Sequence, residues 1–201
     1  MKRLRKKGAD RAAFSAALDE QRAAERRVAA ARGEEYAVPF ELGVAWSGGA
    51  PLPHLLSSGH RTFVAFYLEE PDPDWDGTYA RSVDPRTDTV ESLALAELEG
   101  AVAVKMGPPN DEVLHGHPLY GRGLGWYGTY VVENSRWLAE LVEINRVHER
   151  FDPQAWESRR HFLLVFHDET VEAIARDIEV RTVRTSMRAL LTESIEKLWP
   201  E

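Results

Sequence analysis

The sequence predicts an α+β fold built around a mostly antiparallel or mixed sheet, with an N-terminal, a central and a C-terminal helix. The length of 201 residues, with 43% hydrophobic and 29% charged residues, suits a globular chain with a sizeable core. Strand-loop-strand units fill the middle of the chain, and only two helical segments interrupt or follow them. A doubly wound α/β fold would instead alternate strands and helices regularly, so we favour α+β.

The N-terminal segment differs in charge from the rest of the chain. Residues 1–35 carry 10 basic and 6 acidic side chains, a net charge of +4, whereas residues 36–201 carry a net charge of −12. A helix is predicted over residues 9–32, with Asp10 as its N-cap and a thin apolar stripe that can dock on a core or on a partner. We therefore divide the chain into a basic tail with an N-terminal helix, residues 1–35, and a single α+β domain, residues 36–201.

Six segments of alternating or continuous apolar character predict strands. Residues 62–68 and 161–166 are nearly all apolar, which is typical of central strands covered on both faces. Residues 91–98 fit a strand or a helix by period alone. Amphipathic helices are predicted at 135–148 and 184–199, where apolar side chains recur on one face. The six predicted strands span residues 38–46, 61–69, 101–107, 125–133, 160–167 and 170–179.

Three long connections, residues 47–60, 69–90 and 107–124, separate the predicted elements. Loops longer than about 12–15 residues are uncommon and often functional, so we expect a site in these segments. The chain has no cysteine, which excludes disulfides, thiolate metal sites and cysteine nucleophiles. No apolar run reaches the roughly 20 residues of a spanning helix, so no membrane partner is expected.

The densest group of chemically active side chains lies in the third loop. Residues 107–127 contain five glycines and three prolines, which let the backbone approach a ligand and stiffen the loop. His115 and His117 are two residues apart, so an extended backbone points both side chains the same way, a spacing that suits chelation of a metal. The alternative is that both histidines only stabilise a rigid loop through hydrogen bonds. The same loop adds the candidate ligand-binding residues Asn110, Tyr120 and Arg122.

A predicted hairpin at residues 167–170 supplies the second group. A polar turn between two apolar runs predicts that Val165 faces Glu172, which places Glu172 diagonal to His167. A histidine beside a carboxylate at a strand end suits acid–base chemistry, with Glu172 or Asp168 orienting the imidazole. Asp168 is equally typical of an ordinary turn. The candidate catalytic residues are therefore His117, His167, Asp168 and Glu172.

Two further assignments complete the candidate site. His148 extends the apolar side of the helix at 135–148 and is a candidate ligand-binding residue, although a histidine at a helix end is also a favourable cap. If the site uses a metal, we expect a divalent ion held by His115, His117 and His167. The cofactor is otherwise left open.

Several of these segments resemble a group of uncharacterised bacterial proteins. The segments that carry the resemblance lie within residues 100–175: Asn110-Asp111-Glu112, His115-Gly-His117-Pro-Leu-Tyr120, Asn134-Ser135 with Trp137, Asn145 to His148, and Phe166-His167-Asp168. No activity is established for that group, so the resemblance implies no reaction. It does not extend to the N-terminal helix.

The sequence therefore predicts a small-molecule-binding domain or an enzyme of unknown reaction. Its histidine-rich pocket, metal-dependent or not, is expected between loop 107–124 and the hairpin at 167–170, with Arg122 as a clamp for an anionic group. The alternative is a non-catalytic protein-interaction module that uses helix 9–32 and the acidic body. A homo-oligomer is compatible with both interpretations.

Two other classes are not expected. Nucleic-acid binding is disfavoured because the body is acidic and only the basic residues 1–7 would attract phosphate. The basic start is not followed by an apolar stretch, which predicts a cytoplasmic location and not export.

Overall fold

The structure, a computed structural model of the chain, describes residues 2–47, 49–70 and 83–199, with side chains from residue 12 onward. Within these ranges the α+β prediction is confirmed, because helices at both ends of the chain accompany two antiparallel sheets. The elements are α1 (Lys2–Ala31), β1 (Tyr36–Pro39), β2 (His54–Ser57), β3 (Thr62–Tyr67), β4 (Glu91–Glu99), β5 (Ala103–Gly107), a 3₁₀ helix (Asp111–Gly116), β6 (Thr129–Glu133), α2 (Arg136–Asn145), α3 (Pro153–Glu157), β7 (Arg160–Val165), β8 (Thr170–Ala175), β9 (Asp177–Thr185) and α4 (Met187–Glu196).

Two sheets pack face to face around the main core. The five-stranded sheet has the order β1-β6-β7-β8-β5, and the four-stranded sheet has the order β2-β3-β4-β9. Phe66 and Ala94 of the four-stranded sheet share a buried cluster with Phe162 and Val171 of the five-stranded sheet. Strands β3 and β7 are buried along nearly their whole length, as their apolar sequences predict.

The outer faces of both sheets are also covered. Helix α4 packs Met187 and Leu190 against β3 and β4 on the four-stranded sheet. On the five-stranded sheet, Leu163 of β7 packs against Leu114 and Leu119, which come from the loop between β5 and β6. Successive strand residues point to opposite faces, so β7 contributes to the inner core and to this outer layer at once. The candidate site lies in the outer layer.

Some predicted strand boundaries are wrong. The strand predicted at 38–46 is observed as Tyr36–Pro39, and Gly43 then adopts φ +72°, a left-handed conformation that ends the extended path. The ambiguous segment 91–98 is strand β4. The segment predicted as one strand at 170–179 is divided at Arg176 into β8 and β9, which belong to different sheets.

Two of the long loops contain short elements. Residues 47–60 include β2, and residues 107–124 include the 3₁₀ helix. Most of the loop predicted at 69–90 lies outside the described residues, because residues 71–82 are not among them. The side chains of the basic residues 1–7 also lie outside the described part of the chain.

The predicted hairpin register is wrong by two positions. The turn closes through Phe166, whose N–H donates to the carbonyl of Glu169 over 3.0 Å, so Leu163 and not Val165 lies opposite Glu172. A slip of two residues keeps every side chain on its predicted face, because strand side chains alternate with a period of two. The slip changes only which side chains are neighbours.

Candidate functional site

A cleft of about 650 Å³ lies on the outer face of the five-stranded sheet. Its floor is formed by β5, β7 and β8, and its walls are the loop from Pro108 to Leu119 and the first turns of α2. We call it the sheet-face cleft. The polar side chains that line it are Glu35, Lys105, His117, Arg136, Glu140, His161 and Glu172, and Trp137 and three prolines add apolar surface.

Glu172 is the central carboxylate of the sheet-face cleft. Its Oε2 lies 2.9 Å from His161 Nε2, and its Oε1 lies 3.5 Å from Lys105 Nζ. The strand register produces both contacts, since Lys105 lies directly opposite Glu172 and His161 is two residues from Leu163 on the same face. Burial raises the pKa of this carboxyl, but the hydrogen bond from His161 and the charges of His161, Lys105 and His117 together outweigh it. The net effect lowers the pKa, so Glu172 is ionised at neutral pH.

His161 connects Glu172 to the start of helix α2. The imidazole is only 4% exposed, and its Nδ1 lies 2.9 Å from Ser135 Oγ. Ser135 is the N-cap of α2 and accepts a hydrogen bond from the Leu138 N–H over 3.1 Å. The Trp137 and His161 rings pack in a T-shaped arrangement with centroids 5.1 Å apart, and Lys105 Nζ lies 3.8 Å from the Trp137 centroid.

His117 enters the sheet-face cleft from the loop wall, directly after the 3₁₀ helix. The Leu119 N–H donates to its Nδ1 over 3.1 Å, which leaves Nε2 without a hydrogen-bond partner among the described residues. Burial lowers the pKa of His117, although the nearby Glu172 carboxylate opposes that effect. At neutral pH the ring is therefore neutral and presents Nε2–H as a donor.

The other candidates do not line the sheet-face cleft, and all of them except His115 contact a structural partner. Asn110 caps the 3₁₀ helix by accepting from the Val113 N–H. Tyr120 is exposed and packs edge-on against Trp126. His115 is exposed. Arg122 Nε lies 3.4 Å from a Glu34 carboxylate oxygen. His148 Nδ1 accepts from the Arg150 N–H.

His167 and Asp168 belong to a separate cluster at the hairpin turn. His167 Nδ1 lies 2.9 Å from Asp168, and His167 Nε2 lies 3.7 Å from Asp111. The Tyr127 hydroxyl donates to Asp111, and this bond raises the pKa of Tyr127 to about 12. Because Glu172 pairs with His161, the predicted proximity of His167 to Glu172 is wrong. We call Asp111, Tyr127, His167 and Asp168 the His167 cluster.

The metal interpretation gains no support. Within the described ranges, no group of three or more histidine, aspartate or glutamate side chains is arranged to hold a metal ion. His117 lies in the sheet-face cleft and His167 in the His167 cluster, while His115 faces solvent. A chelate needs its ligands within one coordination sphere, and these three have different surroundings.

A second cleft of about 670 Å³ is slightly larger but chemically poorer. It is lined by residues 39–46, Glu69 and residues 127–130, most of which contribute apolar side chains or backbone. No histidine and no basic side chain lines it among the described residues. The sheet-face cleft is therefore the better candidate, because convergent polar groups and not volume mark a binding site.

Sequence analysis did not assign Ser135, His161, Lys105 or Trp137 to the site. His161 carried a usable signal, since it is an ionisable residue in an otherwise apolar, buried strand, and such a residue needs a partner. The other three come from β5 and from the start of α2, and no local pattern links them to β7.

No family model, curated protein or solved structure matches this chain. The resemblance to the bacterial group therefore stays a prediction. In the part of the chain that the structure describes, none of the helices has both the length and the apolar character that crossing a bilayer requires.

Proposed function

We propose that the protein binds a small polar molecule in the sheet-face cleft. The observation that carries the proposal is that a hydrogen-bond donor and a hydrogen-bond acceptor lie in the same cleft. His117 offers an N–H without a partner among the described residues, and Glu172 offers an ionised carboxylate that only partly faces solvent. Such groups fix the orientation of a ligand, because a buried polar group that stays unpaired is costly.

The protonation states favour binding over proton transfer. An efficient acid or base has a pKa near the working pH. The pKa of Glu172 is lowered and that of His117 is also lowered, so at neutral pH the carboxylate is a weak base and the imidazole is already neutral. His117 Nδ1 is also occupied by the Leu119 N–H, so it is not free to take up a proton. Both side chains suit recognition of a ligand.

The charges of the cleft disfavour an anionic ligand, because three carboxylates and two basic side chains line it. Lys105 is paired with Glu172, and Arg136 is paired with Glu35 at 3.5 Å. No surplus positive charge is therefore left for a strongly anionic ligand. A ligand that accepts from His117 and donates to Glu172 fits this arrangement, and the Trp137 ring offers an apolar wall.

The test is a fragment screen by two-dimensional NMR, with neutral amides, amino acids and polyols as probes. We expect hits that shift the resonances of the sheet-face cleft. His117→Ala and Glu172→Gln should each weaken such a hit by roughly tenfold or more, the cost of losing a hydrogen bond to a buried or charged group. His115→Ala is the matched control, since it removes an exposed histidine two residues from His117. Hits that bind equally well to both cleft variants would contradict the proposal.

The interaction-module alternative stays a prediction. From residue 12 onward, where its side chains are described, helix α1 carries two large apolar side chains that are exposed, Phe14 at 67% and Val28 at 49%. Scattered exposed apolar residues are normal on protein surfaces, so they do not by themselves favour a docking surface.

A further inference from the structure

We infer that Ser135 is a positioning residue of the sheet-face cleft, which acts by donating to Nδ1 of His161 and so holding the ring that orients Glu172. Ser135 does not line the sheet-face cleft, and His161 is almost fully buried. Ser135 therefore acts on a ligand only through His161 and Glu172. The ligand-binding test of this inference rests on the proposed function. The NMR test of the His161 ring does not.

The hydrogen-bond inventory selects one tautomer. Glu172 is ionised and can only accept, so His161 Nε2 carries a proton and donates it to Oε2. In the neutral ring Nδ1 then has no proton and accepts from the Ser135 hydroxyl, 2.9 Å away. Ser135 Oγ accepts from the Leu138 N–H at the same time, so one hydroxyl joins the cap of α2 to the ring.

The proton on His161 Nε2 sets the direction in which the Glu172 carboxylate points. With Nε2–H as a permanent donor, Oε2 is held against His161, and Oε1 is turned toward Lys105 and the open part of the sheet-face cleft. The opposite tautomer would place a nitrogen lone pair against the carboxylate and repel it. The N-cap of α2 therefore stabilises the helix and orients the carboxylate that faces the ligand.

A line of serine, histidine and glutamate also resembles a nucleophilic triad, but the surroundings disfavour that role. The backbone N–H after a nucleophilic serine commonly stabilises the oxyanion. Here the Arg136 N–H donates to a Glu35 carboxylate oxygen at 2.6 Å, which would repel an oxyanion. Ser135 is also only 8% exposed. Positioning is the role that these contacts support.

The test compares variants that keep the helix cap but differ in the proton. Ser135→Asp still accepts from the Leu138 N–H but has no proton to donate at neutral pH. We expect the ¹⁵N shifts of His161 to show a neutral ring with Nε2–H in the wild type. In Ser135→Asp a carboxylate faces each ring nitrogen, so both nitrogens should carry a proton. Ser135→Thr keeps the hydroxyl and should restore the wild-type spectrum. Ser186→Asp makes the same change at the cap of α4 and should leave His161 unaffected.

Each outcome decides the inference. A wild-type spectrum with Nδ1 protonated overturns it, because Ser135 could then not donate to the ring. A neutral ring that persists in Ser135→Asp overturns it as well. The first result needs no variant to fold. For any fragment that binds the wild type, Ser135→Asp should weaken binding by roughly tenfold, the effect of misplacing one charged hydrogen bond. If no fragment binds the wild type, the proposed function fails, and the tautomer result still stands or falls by the spectra.

Discussion

At the scale of single residues, His167 and His161 show how the surroundings of a histidine decide its role. His167 is about one-third exposed and lies between the carboxylates of Asp168 and Asp111. The hydrogen bond to Asp168 raises its pKa, and the charge of Asp111 adds to this effect. The Asp111 N–H also donates to the His167 carbonyl, so the cluster ties the start of the 3₁₀ helix to the hairpin turn. We assign it to stability.

The His167 cluster predicts a pH-dependent stability. Because the pKa of His167 is raised in the folded state, its contribution is fully present below the unfolded value of about 6.5 and is lost as the pH rises through the folded value. Urea denaturation between about pH 5.5 and 8.5 measures the free energy of unfolding. The wild type should exceed His167→Gln by under about 1 kcal/mol near pH 5.5, as expected for an exposed pair.

This difference between wild type and His167→Gln should shrink as the pH rises to about 8.5, where histidines are neutral. His115→Gln is the control, since His115 is exposed and makes no ion pair among the described residues. A His167→Gln difference that grows with pH would show that the sign of the argument is wrong.

At the scale of elements, helix α4 covers the outer face of the four-stranded sheet. Ser186 caps it by accepting from the Ala189 N–H, and the predicted apolar stripe points to β3 and β4. Leu190 is fully buried, whereas Ile195 in the same helix is 47% exposed. The period of the stripe was readable in the sequence, but the exposure of Ile195 was not, because the buried side of the helix runs through Leu190, Ser194 and Leu198.

We predict that these two positions differ in their effect on stability. Leu190→Ala removes a fully buried side chain and should lower the free energy of unfolding by about 2–5 kcal/mol. Ile195→Ala should change it by less than about 0.5 kcal/mol, because little burial is lost and alanine favours the helix. Chemical denaturation of both variants measures this. Equal losses would mean that α4 does not pack as described.

At the scale of the whole molecule, the chain passes between the two sheets at adjacent corners. It leaves β4 for β5 through Gly100 and leaves β8 for β9 through Arg176. The Arg176 N–H donates to the Glu99 carbonyl over 2.8 Å, so one corner supports the other. Gly100 adopts φ +57°, and an added Cβ would lie 2.7 Å from the Arg176 side chain. These corners hold the two sheets in register.

Gly100→Ala should therefore destabilise the whole fold. A left-handed alanine costs about 1–2 kcal/mol, and the Arg176 side chain must also move aside. Gly59→Ala is the matched control, since Gly59 has open space around it and no left-handed φ, so its effect should stay under about 1 kcal/mol and be neutral or stabilising. Thermal unfolding distinguishes them. A Gly100 variant as stable as the wild type would contradict this role.

Local patterns in the sequence determined the α+β class, the buried strands β3 and β7 and the apolar stripe of α4. Burial of one face leaves a period of two or 3.6 in the sequence, so each of these features is encoded within a few neighbouring residues. The sequence did not decide whether β4 is a strand or a helix, because its apolar residues fit both periods.

The candidate site was only partly determined in this way. Sequence patterns indicated His117 and Glu172, which line the sheet-face cleft, and the predicted face of β7 was right. Only the tertiary structure decided their partners. A hairpin register shifted by two moved Glu172 from His167 to His161. Ser135 and Lys105 come from elements far apart in the chain, and contacts between distant segments leave no local period.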